Sequence, residues 1–239
     1  MNATSEKTVR QIAVENPSSV RVFESLGIDY CCGGKRSLQE ACQRAGMPLN
    51  RVAQLLEEAD RNAHEPDFEG WKDAPVETLI QEITERHHAY VRAEIPRLQS
   101  LFVKVNKHQE RYPQLAEIRQ IFTALAEELT GHMLKEEQVL FPYIRSMGAV
   151  RAEGGAGISS CFGSIRRPVA ALMADHDDAG ALLERVRELA HNYEPPADAC
   201  PTLRGLYQGL LEFERDLHRH VHLENNLLFP KAIELESEL

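Results

Sequence analysis

His132-Met-Leu-Lys-Glu136-Glu-Gln-Val-Leu-Phe-Pro142 is answered later in the chain by His220-Val-His-Leu-Glu224-Asn-Asn-Leu-Leu-Phe-Pro230. Both copies set a histidine and a glutamate four residues apart and close on Leu-Phe-Pro. Four residues is just over one helical turn, so the two side chains of each pair lie on one helix face. A carboxylate on an apolar face needs compensating charge, and a metal ion supplies it.

Outward from these two stretches the chain reads as four long helices, opened near their first turns by Pro75, Pro113, Pro168 and Pro201. Apolar residues recur at alternating steps of three and four. The second helix carries Ile118, Phe122, Leu125, Leu129, His132, Glu136, Val139 and Tyr143 on one stripe. The third runs from Ile165 and Val169 through Leu172, His176 and Ala179 to Ala190. The fourth runs from Leu203 through Leu217, His220 and Glu224 to Leu227, and the first carries His88, Val91, Ile95, Leu98 and Phe102. Four helices with one inward seam each predict an all-α fold, an antiparallel four-helix bundle. Pro96 inside the first helix predicts a kink or a break.

The duplication selects the remaining ligands. His132 to His220 and Glu136 to Glu224 share an offset of 88 residues. The same offset carries His176, the one stripe histidine of the third helix, onto His88. Its neighbour His87 maps to Asp175 and leaves the seam. Each half then contributes a His followed by His-x-x-x-Glu. A single histidine on an apolar face is ordinarily a satisfied core residue, but six donors in symmetric register reverse that reading. Two uncompensated buried carboxylates would cost several kcal/mol each, more than a marginally stable domain can absorb. The predicted metal ligands are therefore His88, His132, Glu136, His176, His220 and Glu224. Imidazole with carboxylate suits iron, manganese, zinc, copper or nickel, and bundle sites of this type are typically di-iron. The expected cofactor is two iron ions joined by an oxo or hydroxo bridge, with Glu136 and Glu224 bridging. His218 and His222 are expected on partly solvated faces, and Glu137 as surface charge.

Residues 1–64 read as a separate small helical unit, 65–74 as a linker, and 75–239 as the bundle. In the small unit Asn16-Pro17 opens a helix that Gly27 ends, Ser37 to Glu40 forms a capping box, Gly46 stops its helix, and Asn50 caps the next. A unit this small either docks on the bundle or stays mobile. It contains the vicinal pair Cys31-Cys32 ahead of Gly33-Gly34, candidates for redox exchange or iron transfer. A thiol near a helix N-terminus has a lowered pKa, and the glycines permit close approach of a partner. Cys42, Cys161 and Cys200 read as structural.

Composition narrows the class. At 239 residues with 43% hydrophobic content the chain can bury a substantial core. Its net charge of -10 argues against nucleic-acid binding. No run of about 18 apolar residues spans a membrane, and Met1 to Arg10 lacks an apolar signal segment. Five cysteines, two of them adjacent, do not form a disulfide framework, so a reducing cytoplasm is expected.

The stretch from Asn16-Pro17 through Leu26-Gly27-Ile28-Asp29-Tyr30-Cys31-Cys32-Gly33-Gly34 resembles the N-terminal cysteine domain of the di-iron proteins that repair iron centres, the YtfE/ScdA/NorA group. The two His-x-x-x-Glu stretches resemble that family's hemerythrin-like domain, and the likeness covers nearly the whole chain. Its iron ligands fall on the six residues the repeat selects. The resemblance implies a cytoplasmic protein restoring iron-sulfur clusters damaged by nitric oxide or peroxide, by iron donation or transfer assisted by Cys31 and Cys32. Damaged iron-sulfur proteins are the implied partners, with NO or O2 as small ligands, and a homodimer is compatible with it. Two other classes stay open: an NO- or O2-binding buffer or sensor, and a di-iron enzyme reducing NO.

Overall fold

The computed structural model describes residues 6–61, 71–108, 110–155 and 162–239, and eight main helices run through these described residues. No strand occurs among the described residues. The small unit holds α1 (Val9–Glu15), α2 (Ser19–Leu26), α3 (Leu38–Arg44) and α4 (Leu49–Arg61). The bundle holds α5 (76–105), α6 (114–152), α7 (Arg166–Leu189) and α8 (201–237). Helix α5 packs chiefly on α8, and α6 on α7, giving the expected antiparallel four-helix bundle. Among the described residues no helix is long and apolar enough to cross a membrane.

The local signals of the small unit mostly act as read. Ser37 and Glu40 close a reciprocal capping box, and Thr8 with Gln11 closes a second that starts α1. Gly27 adopts φ 66° and ends α2. Asn50 is a correction: α4 begins at Leu49, so Asn50 lies inside it. Residues 65–70 of the expected linker, and Cys161, lie outside the described residues.

Three of the four bundle helices are interrupted by a π-turn: Ile83–His88 in α5, Glu136–Leu140 in α6 and Leu223–Leu228 in α8. A π-turn holds an extra residue and rotates everything beyond it. This corrects the stripe of α6. Val139, expected inside, is 45% exposed, and Tyr143 is half-buried. Leu140, Phe141, Ile144 and Met147 take the core positions instead. The stripe of α7, an unbroken α-helix, is buried from Ile165 to Ala190 as predicted. Pro96 does not break α5: Ala89–Val105 is continuous through it. Its ring sits on the exposed face, where water can satisfy the freed carbonyl.

The small unit docks. One apolar core runs from Val9, Phe23, Tyr30 and Leu38 into Val91, Leu98, Leu183 and Phe213 of the bundle. Polar ties surround it. Arg219 donates from Nε and Nη2 to Glu24 at 2.7 and 2.8 Å. Arg187 donates to the Gly27 carbonyl at 2.7 Å, and Arg10 to the Asn225 carbonyl at 2.6 Å. The ring of Tyr30, fully buried, meets His218 and His222 edge-on at 6.1 and 5.4 Å.

Gly180 on α7 admits the cysteine loop. A Cβ there would stand 3.0 Å from Cys32 Cβ and 3.1 Å from its sulfur. Gly180→Ala is expected to push the loop outward, overpacking that costs about 1–3 kcal/mol and offsets the better helix propensity of alanine. Thiol labelling of Cys32 should speed up several-fold; an unchanged rate would mean the contact is slack.

Candidate metal centre

All six predicted donors come together and all are buried, from 0% exposure at His88, Glu136 and Glu224 to 3% at His132. They form two overlapping quartets, His88, Glu136, His220, Glu224 and His132, Glu136, His176, Glu224. Within each quartet one donor atom per residue lies within 4.8 Å of the others. Glu136 offers Oε2 to His88 at 3.4 Å and Oε1 to His132 at 3.2 Å. Glu224 offers Oε1 to His220 at 2.9 Å and Oε2 to His176 at 3.1 Å. Each carboxylate therefore gives one oxygen to each quartet. The imidazole pairs cross the duplication: His88 Nε2 is 3.1 Å from His220 Nε2, and His132 Nε2 is 2.8 Å from His176 Nε2.

The outer ring nitrogens orient the inner ones. His88 Nδ1 lies 2.6 Å from Glu137, His132 Nδ1 3.3 Å from Asp175, and His176 Nδ1 2.9 Å from the Asn225 side-chain oxygen. With Nδ1 donating, the lone pair of each Nε2 faces the centre, the arrangement metal-binding histidines use. His220 Nδ1 lacks such a partner. The repeat explains why: Asp175 serves His132, and its counterpart at the offset of 88 is His87. His87 instead stacks on His220, with centroids 5.7 Å apart and planes 7° from parallel, and bonds Asp216 at 3.0 Å.

Burial and the facing charges act against each other on the inner donors. Burial alone would push His88 and His132 down, but Glu136 and Glu224 hold them up at about 10 and about 9. Burial would raise Glu224, yet His220 and the other imidazoles hold its carboxyl well below the usual range. His220 is pushed down by burial. Among the described residues no hydrogen bond reaches either oxygen of Glu136 or Oε2 of Glu224, although imidazole nitrogens stand 3.1 to 3.4 Å away. Orphaned carboxylate oxygens beside inward-facing Nε2 atoms, whose protons a metal would displace, fit one cation in each quartet.

Several residues were missed in the sequence. Glu137 is not free surface charge: it bonds His88 and accepts from Arg92 at 2.6 Å. Asn225 is its repeat counterpart, so the same offset could have found both. His218 and His222 are buried at 6% and 3%, because the small unit covers their faces. His222 accepts from Asn226 Nδ2 at 2.7 Å, and burial pushes it down to about 4.

Cys31 and Cys32 lie apart from the quartets, in the loop between α2 and α3. Their sulfurs are 3.7 Å apart. Cys31 is 5% exposed and Cys32 half-buried. The expected lowering of the thiol pKa is overturned at Cys31. Burial, then the hydrogen bond and charge of Cys32, then Asp29, push it well up. The physical reason is position: α3 starts only at Leu38, and Asp29 fills the loop. Its Oδ1 accepts from the N–H groups of Cys31 and Cys32 at 3.0 and 2.9 Å, and Oδ2 from Gly33 at 2.6 Å.

Residues 79–232 match the family described as the hemerythrin HHE cation binding domain, and residues 5–60 match a domain described as of unknown function, DUF542. The chain is 36% identical over 233 residues to the iron-sulfur cluster repair protein YtfE of Musicola paradisiaca, covering 97% of this chain and 98% of that one. It is 35% identical to the protein of the same name in Pectobacterium carotovorum, over 95% of this chain and 97% of that one. It is 37% identical to that of Yersinia pseudotuberculosis, over 93% and 94%.

Proposed function

This chain belongs to the family of YtfE-type iron-sulfur cluster repair proteins, and on that premise we propose that it repairs damaged iron-sulfur clusters with iron held in the bundle. His88, His132, Glu136, His176, His220 and Glu224 hold two irons, with Glu136 and Glu224 bridging, and Cys31 and Cys32 assist transfer to the damaged protein. The observation that carries the reading is the split of each buried carboxylate between the two quartets, one oxygen each. A pair of irons there supplies a redox-active store of metal beside a site for small ligands. The residues themselves do the holding: Glu137, Asp175 and Asn225 fix three imidazoles, and the apolar shell of Phe141 and Phe229 stacked on His88 and His176 keeps bulk water out. A cytoplasmic setting goes with this reading, since free thiols persist there.

The test is the Cys31→Ala, Cys32→Ala double variant, which should retain its iron yet lose repair of a nitrosylated cluster protein. Undiminished repair would remove the thiols from the transfer step, and a parent protein that binds NO but repairs no cluster would favour the second class, a carrier of NO or O2.

Iron loading must displace the protons that His88 and His132 carry up to about 10 and about 9. Loading near neutral pH should therefore release about two protons per chain, and affinity should rise with pH. The metal-free protein should behave oppositely. A histidine raised in the fold stabilises fully below its unfolded value of about 6.5, and that stability is lost as pH climbs through 9 and 10. His222, pushed down to about 4, instead costs stability as pH falls from about 6.5, and Glu224, held low, does so only as pH falls below its unfolded value of about 4.5. Melting curves of metal-free protein should peak near pH 6–7 and decline toward pH 10. A flat alkaline limb would mean the inner histidines are neutral.

A further inference from the structure

The docking interface brings together a third set of metal-binding groups, distinct from the six in the bundle core. One donor atom from each of Asp29, Cys31 and His218 lies within 4.8 Å of the other two. Asp29 and Cys31 come from the loop of the small unit and His218 from α8, so the set exists only in the docked molecule. We propose that Asp29, Cys31 and His218 form a mononuclear site for a borderline divalent cation such as Fe2+, Co2+ or Zn2+, with a fourth position open toward Cys32.

Donor chemistry, spacing and preorganisation support it. Thiolate, imidazole and carboxylate together suit these ions and disfavour Mg2+ and Ca2+, which take oxygen ligands. In a tetrahedral site with bonds near 2.0–2.3 Å, neighbouring donors stand about 3.6 Å apart. Cys31 Sγ is already 3.3 Å from Asp29 Oδ1. The Asp29 carboxylate is fixed by three backbone N–H groups, which leaves it lone-pair capacity for one further partner. The other two donors are 5% and 6% exposed, and both are immobilised against the Tyr30 region of the shared core. Cys32 is not within reach of all three donors. Its sulfur lies 3.7 Å from that of Cys31 in a half-buried residue, and suits an exchangeable ligand rather than a fixed one. Three protein ligands with one open position is the form of a site that exchanges what it binds. Binding breaks the Cys31 S–H bond, releases its proton to solvent and forms a metal–sulfur bond, with no change of oxidation state.

Metal-free full-length protein titrated with Co2+ should take up three equivalents. One of them should bring thiolate-to-cobalt charge-transfer absorption, which the six nitrogen and oxygen donors of the bundle cannot produce. Cys31→Ser and His218→Gln should each remove that equivalent and leave two bound, while Cys32→Ser should keep all three. Because His218→Gln also touches the interface, Asp29→Asn serves as a second variant. Its side-chain carbonyl can still accept from Cys31 and Cys32, and it should weaken the third equivalent at least tenfold. Two equivalents without a sulfur band in the parent protein would overturn the site. So would a band undiminished in His218→Gln or in Asp29→Asn, since the cysteines would then be binding cobalt alone.

Discussion

Glu224→Ala is expected to lower iron at both positions of the bundle, not at one. Its Oε1 lies 2.9 Å from His220 and its Oε2 3.1 Å from His176, so one substitution strips an anionic donor from each quartet. Losing an outer partner of a metal ligand typically costs about 10–100-fold in affinity. Losing a shared carboxylate should exceed about 100-fold at each position. It also leaves an excess of imidazolium, because His88 and His132 keep their protons only against two carboxylates. His176→Ala removes a donor from one quartet alone and should retain the iron between His88 and His220. Iron per chain, measured after desalting, would separate the cases. A Glu224→Ala protein that retains half of its iron would show that each carboxylate serves a single position. Glu136→Ala carries the same expectation.

Arg219→Ala is expected to cost about 3–5 kcal/mol, the range for leaving a buried charge unpaired. The Glu24 side chain is 6% exposed and takes two hydrogen bonds from Arg219. Tyr30 contributes a further hydroxyl at 3.3 Å, which cannot neutralise the carboxylate. The damage should fall on the docking of α1–α4 rather than on the bundle. Hydrogen exchange should therefore quicken across 9–61 while the amides of α6 and α7 stay protected and iron stays bound. Adding Glu24→Gln to the variant should recover most of the loss, since the uncompensated charge is then gone. Uniform loss of protection across all eight helices would mean that the two units unfold together.

The fold and the six inner donors were legible because they follow periodicity and repetition. A stripe histidine at the offset of 88 from His176 needs no tertiary information to be picked over His87. What periodicity missed was whatever broke it. Val139 was misplaced because the π-turn at Glu136–Leu140 inserts a residue that no spacing of three and four announces. Helix periodicity puts His218 and His222 on partly solvated faces, but Tyr30, about 190 positions earlier in the chain, covers that face of α8. The Cys31 thiol was misread for a related reason. Its pKa follows from burial and from Asp29, not from the helix that follows it in sequence. Glu137 and Asn225 were within reach, since they sit at the same offset as the ligands they accompany.

Arg10 donates to the backbone carbonyl of Asn225, and the Asn225 side chain in turn holds Nδ1 of His176. One residue of a π-turn is thus gripped from both sides, by the small unit and by a histidine of the centre. Two binding equilibria that share a residue are thermodynamically linked, and the linkage is reciprocal. If metal in the quartets strengthens the hold of the bundle on α1, release of α1 must loosen the metal by the same factor. A client protein that pulls the small unit away would thereby lower the affinity for iron at the moment of contact, with no separate signal required.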